Sequence, residues 1–249
     1  MSFYVVIPAR YDSERLPGKV LLDIAGKTML QHTYEQAMKS SAKQIIIAAD
    51  DDRVKVLAHS FGAKVVMTSN RHRSGTERIQ EVASELKLSS NEVIVNVQAD
   101  EPLIPPSAID QVAKSLGDKE AVGISTLCEL ISCNAEIDDP NAVKVVMNKN
   151  NEALYFSRSR IPYNLNANFQ SYYRHIGIYA YRVEILRQFV GWPISELEYS
   201  ENLEQLRALQ NGIRIYVGIS KYKIPAGVDT EKDLDVVRKA FLRTSNARS

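Results

Sequence analysis

The chain has 249 residues, 45% of them hydrophobic and 24% charged, with a formal net charge of +1. That length can bury a sizeable core, and so even a charge balance excludes a global nucleic-acid or membrane-surface partner. Its two cysteines, Cys128 and Cys133, lack a second Cys or His pair, so they form neither a disulfide framework nor a zinc site and read as reduced thiols.

Residues 3–7 (FYVVI) predict a buried strand. The run is too short for a signal peptide and Arg10 follows it. No apolar stretch reaches membrane-spanning length, so a cytoplasmic location is expected. A polar loop leads to a helical pattern over 28–39. A strand is predicted at 44–49, and Asp50, Asp51 and Asp52 end it and can cap a helix through 54–61. A short strand at 64–67 precedes Ser74-Gly75-Thr76-Glu77, which reads as a capping box opening a helix to about 86. Residues 92–97 (EVIVNV) predict another buried strand, followed by Asp100-Glu101-Pro102. These near-continuous Val/Ile runs are what parallel strands covered on both faces require.

The rhythm changes after about residue 120. Runs at 143–147 and 153–156 flank Asn148-Lys149-Asn150-Asn151, a hairpin signal. A mixed segment rich in Arg and Pro spans 155–168. A strand is expected at 177–181, a helix at 201–210 with Leu203, Leu206 and Leu209 on one side, and a strand at 213–217. A final helix at 230–242 has Thr230 and Asp233 placed to cap it. The pattern predicts one α/β domain over residues 1–249, doubly wound around a mostly parallel Rossmann-like sheet. An inserted or appended mixed lobe is expected at roughly 125–190. Parallel strands with right-handed crossovers put the binding crevice at their carboxyl ends. Chemistry is therefore expected in the loops after Ile7, after Val97, and after a strand leading to Asp229.

The first of these loops runs from Pro8, Ala9 and Arg10 through Ser13 and Arg15 to Gly18 and Lys19. Three cations and a glycine after a first strand suit a triphosphate, because backbone N–H groups and Arg or Lys must neutralise several charges at close range. A solvated surface loop is the plain alternative. Gly26-Lys27-Thr28 resembles the end of a P-loop, but Leu21 stands where that motif needs Gly, so a turn into the first helix is expected. Asp100 and Asp229, each expected at a strand end, suit a Mg²⁺ that substrate phosphates also bind; a turn and a helix cap are the alternatives. The N-terminus at Ser74, Gly75, Thr76 and Arg78 suits an anion or a base edge. Residues 155–162, with Arg158, and 174–179, with Arg174, His175 and Tyr179, offer a pocket for an acidic polyhydroxylated ligand, or else a dimer surface. His32, His59 and His72 show no pairing in sequence and read as structural or exposed.

Residues 7–10 (IPAR) with 16–19 (LPGK) resemble the fingerprint of the nucleotidyltransferases that make CMP-activated acidic sugars. Seven further segments (SGTER at 74–78, NVQADEP at 96–102, NAVKVV at 141–146, ALYFSR at 153–158, HIGIY at 175–179, LEQLR at 203–207 and GVDT at 227–230) extend the likeness along nearly the whole chain. Within that family they are most similar to the group acting on 3-deoxy-D-manno-octulosonate (KDO). Ala99 departs from the family's usual Gly, and Asp12 from a usually small or neutral residue.

The resemblance implies a nucleotide-diphospho-sugar transferase fold, with the smaller lobe serving dimerisation and sugar binding. It implies transfer of CMP from CTP to KDO for lipopolysaccharide biosynthesis by a Mg²⁺-dependent homodimer. It assigns the triphosphate to Arg10, Ser13 and Lys19. The cytidine falls to Pro8, Ala9, Ser74, Gly75, Thr76 and Arg78, and the metal to Asp100 and Asp229. Gln98, placed at both ends of the site, joins Arg158, His175, Tyr179, Glu204 and Gln205 around the sugar. Alternatives are a cytidylyltransferase for an 8-amino analogue or a sialic acid, and a non-catalytic nucleotide- or sugar-binding module.

Overall fold

The structure is a computed structural model and describes residues 2–12, 16–117, 121–165 and 171–246. In chain order its elements are β1 Tyr4–Ala9, a 3₁₀ turn Lys19–Leu21, β2 Asp23–Ile24, β3 Lys27–Thr28, α1 Met29–Ala37, β4 Gln44–Ala49, α2 Asp52–Ser60, β5 Lys64–Met67, α3 Gly75–Glu85 and β6 Val93–Asn96. There follow α4 Pro106–Gly117, β7 Ile124–Leu130, α5 Asn134–Ile137, β8 Lys144–Met147, β9 Ala153–Ser157, β10 Tyr173–Arg182, α6 Val183–Phe189, α7 Glu196–Glu201, α8 Gln205–Gln210, β11 Ile215–Ile219 and α9 Glu231–Asn246.

The Val/Ile-rich strands pair in parallel because both faces are apolar and both are covered. β1 lies between β4 and β6, all parallel, and β5 extends the β4 edge. The full order is β11-β7-β10-β6-β1-β4-β5. β10 runs antiparallel to both β6 and β7, and β11 is parallel to β7, so the sheet is mixed but mostly parallel. Of residues 125–190, β7 and β10 are strands of this main sheet, and the β8–β9 hairpin attaches to the start of β10. One core faces α1, α2 and α4, and includes Val5, Ile7, Val95 and Val112. The opposite face packs Val6, Ile94, Phe156 and Leu206 with α3, α6 and α8.

The short β2–β3 hairpin turns at Ala25 and Gly26, both with positive φ, which confirms the turn expected at Gly26. Two expectations change. The single helix at 201–210 is two, because Asn202 takes a left-handed conformation (φ 50°) that ends α7 before α8 starts. The strand expected to lead to Asp229 is absent: β11 ends at Ile219, and residues 221–229 run in irregular extended form. Val228 donates one backbone hydrogen bond to Asp100 O (2.8 Å), which lays this segment beside the β6 exit without making a strand.

Candidate active site

β1 and β6 end side by side, which brings the loop after Ala9 next to the loop after Asn96. Lys19 then joins three distant pieces of chain. Its Nζ donates to Asp100 Oδ2, to Asp229 Oδ1 (3.2 Å) and to Val228 O (3.3 Å). The ammonium therefore bridges the two carboxylates, which lie 129 positions apart in sequence. Gly227 packs against the same turn: a Cβ there would stand at ordinary contact distance, 3.4 Å from Asp100 O and 3.6 Å from its Oδ1. Ala99 needs no positive φ; it is buried, and its carbonyl accepts from Thr33 Oγ1 (3.0 Å).

A cavity of ≈120 Å³ lies beside this cluster, lined by Pro8, Arg10, His72, Arg73, Ser74, Gly75, Arg78 and Gln98. Its floor is tight, since a Cβ on Gly75 would sit 3.2 Å from Pro8 Cγ and 3.7 Å from Gln98 Nε2. Ser74 caps α3 by accepting from the Glu77 N–H (3.3 Å). The Glu77 carboxylate turns instead to the Arg73 N–H (2.8 Å), so the predicted capping box closes on its first half only.

Arg10 is exposed and has no ion-pair partner among the described residues. Ala9 is fully buried and offers only its backbone. Arg78 reaches the cavity wall with its guanidinium already committed to Asp50 Oδ2 (2.9 Å), Thr68 Oγ1 (2.5 Å) and Ser69 O (3.3 Å). Breaking a buried pair of this kind costs about 3–5 kcal/mol, so Arg78 shapes the pocket more than it reaches a ligand. Asp50 also accepts from the Tyr11 N–H (3.0 Å), tying the first loop to α3. Asp51 caps α2, so Asp50 is free for this role. Ser13 lies outside the described residues.

The residues expected at the sugar end fall on β10 and the α7–α8 junction. Thr76, itself buried, donates to Glu204 Oε2 (2.7 Å) instead of facing the cavity. Glu204 Oε1 and Gln205 Nε2 are buried with no hydrogen-bond partner among the described residues. Burial raises the Glu204 pKa, and the Ser74 and Thr76 hydroxyls oppose the rise. Burial also raises Tyr179 and pushes His175 down to about 3, with Arg174 adding to the latter. The His175 ring is therefore neutral; Nε2 lies 3.0 Å from Thr126 Oγ1 and the ring meets Tyr179 at 5.3 Å.

A second cavity, of ≈680 Å³, is lined by His175, Gly177, Arg174, Glu101 and Asp229 among others. Arg158 does not line it. Its guanidinium bonds the carbonyls of Glu201 (2.7 Å), Pro140 (3.0 Å) and Asn202 (3.3 Å), fastening the β9 exit to the end of α7. That geometry makes Arg158 a structural clamp in this state, where the sequence suggested a free partner for a carboxylate.

Sequence reasoning passed over three participants and left the partners of Arg174 open. His72, expected to be unpaired, bonds Glu81 through Nε2 and lies 3.6 Å from Glu77; against burial, the Ser69 N–H and then His72 hold Glu81 below the usual carboxylate range. Arg73 lines the small cavity beside it. Arg174 pairs with Glu129 and with Glu136 (3.1 Å). Glu101 has a buried, unpartnered Oε2, and burial with the neighbouring Asp100 charge pushes its pKa up to about 8. The strand-end Asp-Glu-Pro was the available signal for Glu101; the others meet their partners only in the fold.

Residues 4–215 match the cytidylyltransferase family. A 3-deoxy-manno-octulosonate cytidylyltransferase from Cellvibrio japonicus is 52% identical, covering 96% of this chain and 97% of the relative. One of that name from Coxiella burnetii is 50% identical over 97% of this chain and all of the relative. A solved structure of CMP:2-keto-3-deoxy-manno-octonic acid synthetase complexed with CTP superposes with a TM-score of 0.92 at 43% identity, covering 98% of this chain and 99% of that one. A cytidylyltransferase from Leptospira borgpetersenii shares the fold (TM-score 0.62) at 15% identity, covering 95% of this chain and 84% of that one.

Proposed function

The chain belongs to the cytidylyltransferase family, and from that premise we propose that it transfers CMP from CTP to the anomeric hydroxyl of KDO. The hydroxyl oxygen bonds the α-phosphorus as the bond from that phosphorus to the bridging oxygen breaks; pyrophosphate leaves and the hydroxyl proton is released to solvent. The observation that carries the reading is the meeting of Asp100 and Asp229 on Lys19 at the carboxyl edge of the sheet. A site that only binds a nucleotide has no need of two carboxylates there, since they would repel its phosphates.

Two carboxylates are an anionic all-oxygen donor set, the kind that takes Mg²⁺ and completes its shell with substrate phosphates. Asp100 and Asp229 fit that ion and would hold it. The described residues contain no group of three or more His, Cys, Asp or Glu suited to a metal, so phosphate oxygens and water would supply the remaining ligands. When bound, Mg²⁺ supplies charge neutralisation along the phosphates and makes a nearby hydroxyl more acidic.

The protein's own groups do the rest. Lys19 neutralises charge at the α-phosphate and on the departing pyrophosphate. Arg10, exposed at the pocket mouth, meets the triphosphate. Pro8, Ser74, Gly75 and Gln98 frame the base, and the tight Gly75 floor fixes its depth. Glu204 and Gln205 bring buried groups that lack partners to the sugar hydroxyls, with Tyr179 and neutral His175 as further polar edges.

A homodimer belongs to the same reading, supported by the exposed Leu154 on β9 and Tyr199 on α7. No helix among the described residues is long and apolar enough to cross a membrane. Pyrophosphate release with four nucleoside triphosphates against KDO, its 8-amino analogue and a sialic acid tests the proposal. CTP with KDO and Mg²⁺ is expected to be the fastest combination; preference for another sugar would overturn the acceptor.

A further inference from the structure

The residues behind the Lys19–Asp100–Asp229 cluster form a small apolar core apart from the two that cover the sheet. It contains Leu16, Ile24, Met29, Val228, Leu234 and Val237, with Leu22, Leu103 and Phe241 packed against it. Each segment bearing a charged residue of the cluster contributes to it: Leu16, Leu22 and Ile24 flank Lys19, Leu103 follows Asp100, and Val228 precedes Asp229. The fourth contributor is α9, whose Leu234 and Val237 are almost fully buried.

Polar bonds tie the same pieces together. Thr230 and Asp233 cap the start of α9 reciprocally: Asp233 N–H donates to Thr230 Oγ1 (3.3 Å), and Thr230 N–H to Asp233 Oδ2 (2.9 Å). Asp233 Oδ2 also accepts from the Asp229 N–H (3.2 Å). Further along, Arg238 donates to Asp23 O at 3.1 and 3.2 Å, and His32, bonded to Ile24 O (2.7 Å), meets the Phe241 ring at 4.0 Å. Val228 belongs to both systems, with its side chain in the apolar core and its carbonyl on Lys19.

We propose that α9 is a positioning element of the transfer site: Leu234 and Val237 hold the Lys19 and Asp229 segments together from behind. The geometry favours some such device. Residues 221–229 have no strand pairing of their own. Ile224 anchors their first half, its N–H on Glu129 Oε2 (3.1 Å) and its carbonyl accepting from Arg174 (2.9 Å), but Val228 beyond it reaches the sheet side of the site through a single backbone hydrogen bond. Among the described side chains of α9, Asp233 lines the larger cavity and Leu234 and Val237 do not, so their contribution is made through other residues. The functional consequence rests on the CTP reading above; the mechanical one does not.

Hydrogen exchange on the free protein tests the mechanical claim. In Leu234→Ala, the Leu22, Met29 and Val228 amides are expected to exchange about tenfold faster or more, as a local opening does. Those of Ile46 in β4 and Ile94 in β6 keep their rates. Leu186→Ala, equally buried in the core on the α3 side of the sheet, leaves Leu22 and Val228 unchanged. In turnover, Leu234→Ala is expected to raise KM for CTP by about fivefold or more. Leu186→Ala leaves that KM alone, and Leu234→Ile restores it. Equal acceleration in β4 and β6, continued protection of Leu22 and Val228, or an unchanged KM for CTP in Leu234→Ala would each overturn the proposal. Absence of CTP turnover in the unmutated enzyme would instead strike the functional reading and leave the exchange result standing.

Discussion

The two ends of the proposed site, one for phosphates and one for the sugar, are built on opposite principles. At the phosphate end, Lys19, Asp100 and Asp229 are charged, partly exposed and paired with one another. At the sugar end, Glu204 and Gln205 are buried, and each carries a polar atom without a partner. Charges that await a charged ligand can hold one another in water at little net cost. A buried polar atom without a partner destabilises the protein by about 1–3 kcal/mol, and the fold tolerates two within two residues. A hydroxylated ligand would satisfy them. The phosphate end thus reads as a site that exchanges partners, and the sugar end as one that gains them.

That contrast can be broken by substitution. Asp100→Asn keeps the shape and removes the charge; pyrophosphate release from CTP and KDO is expected to fall by about 10³-fold or more. Comparable release in this variant, or in EDTA, would end the metal assignment. Lys19→Ala is expected to lower kcat by about 10²-fold; a rise in KM alone would restrict Lys19 to ground-state binding. Glu204→Gln probes the other end. It should raise KM for KDO by about tenfold and leave KM for CTP within about twofold. Equal effects on both substrates would erase the distinction between the ends.

The last expected effect is on acid stability and leaves turnover aside. His175 stays neutral in the fold down to about pH 3, whereas in the unfolded chain it takes up a proton below its ordinary 6.5. The unfolded state therefore binds more protons in that window, and stability is lost as pH falls from 6.5 toward 3. A His175→Gln variant should show a flatter decline in Tm between pH 6.5 and 4, by the equivalent of about 3 kcal/mol. An identical slope would show that the ring already charges in the native state.

Much of the fold is legible in the residues. The parallel strands follow from Val/Ile runs, and β8–β9 from the Asn148–Asn151 turn, where Asn151 takes the positive φ that Asn tolerates. α4 also had a signal, Pro106 at its first position with Ile109, Val112, Ala113 and Leu116 at helical spacing, which the sequence reading passed over. Other features depend on the folded chain. Leu203, Leu206 and Leu209 favour one continuous helix, but Asn202, in a left-handed conformation that Asn tolerates, ends α7 ahead of them. β10 was expected at 177–181 but spans Tyr173–Arg182, because its first half pairs with β7 and β8 through residues as polar as Arg174 and His175.

The site shows the same division. Lys19, Asp100 and Asp229 stand out in sequence because their types and positions suit phosphate chemistry. Their convergence does not, since it depends on an irregular segment that no periodicity describes. Arg78 and Arg158 illustrate the opposite error. A cation near a pocket suggests an anion partner, yet both guanidiniums are committed to the protein's own oxygen atoms.

The central claim is that Asp100 and Asp229 together hold the ion that accompanies the triphosphate. Anomalous scattering from a crystal grown with CTP and Mn²⁺, standing in for Mg²⁺, tests it most directly. The expected result is a manganese peak bonded by both carboxylates and by phosphate oxygens, with Lys19 moved onto the phosphates. A manganese held by phosphates and water alone, with both carboxylates still on Lys19, would contradict it.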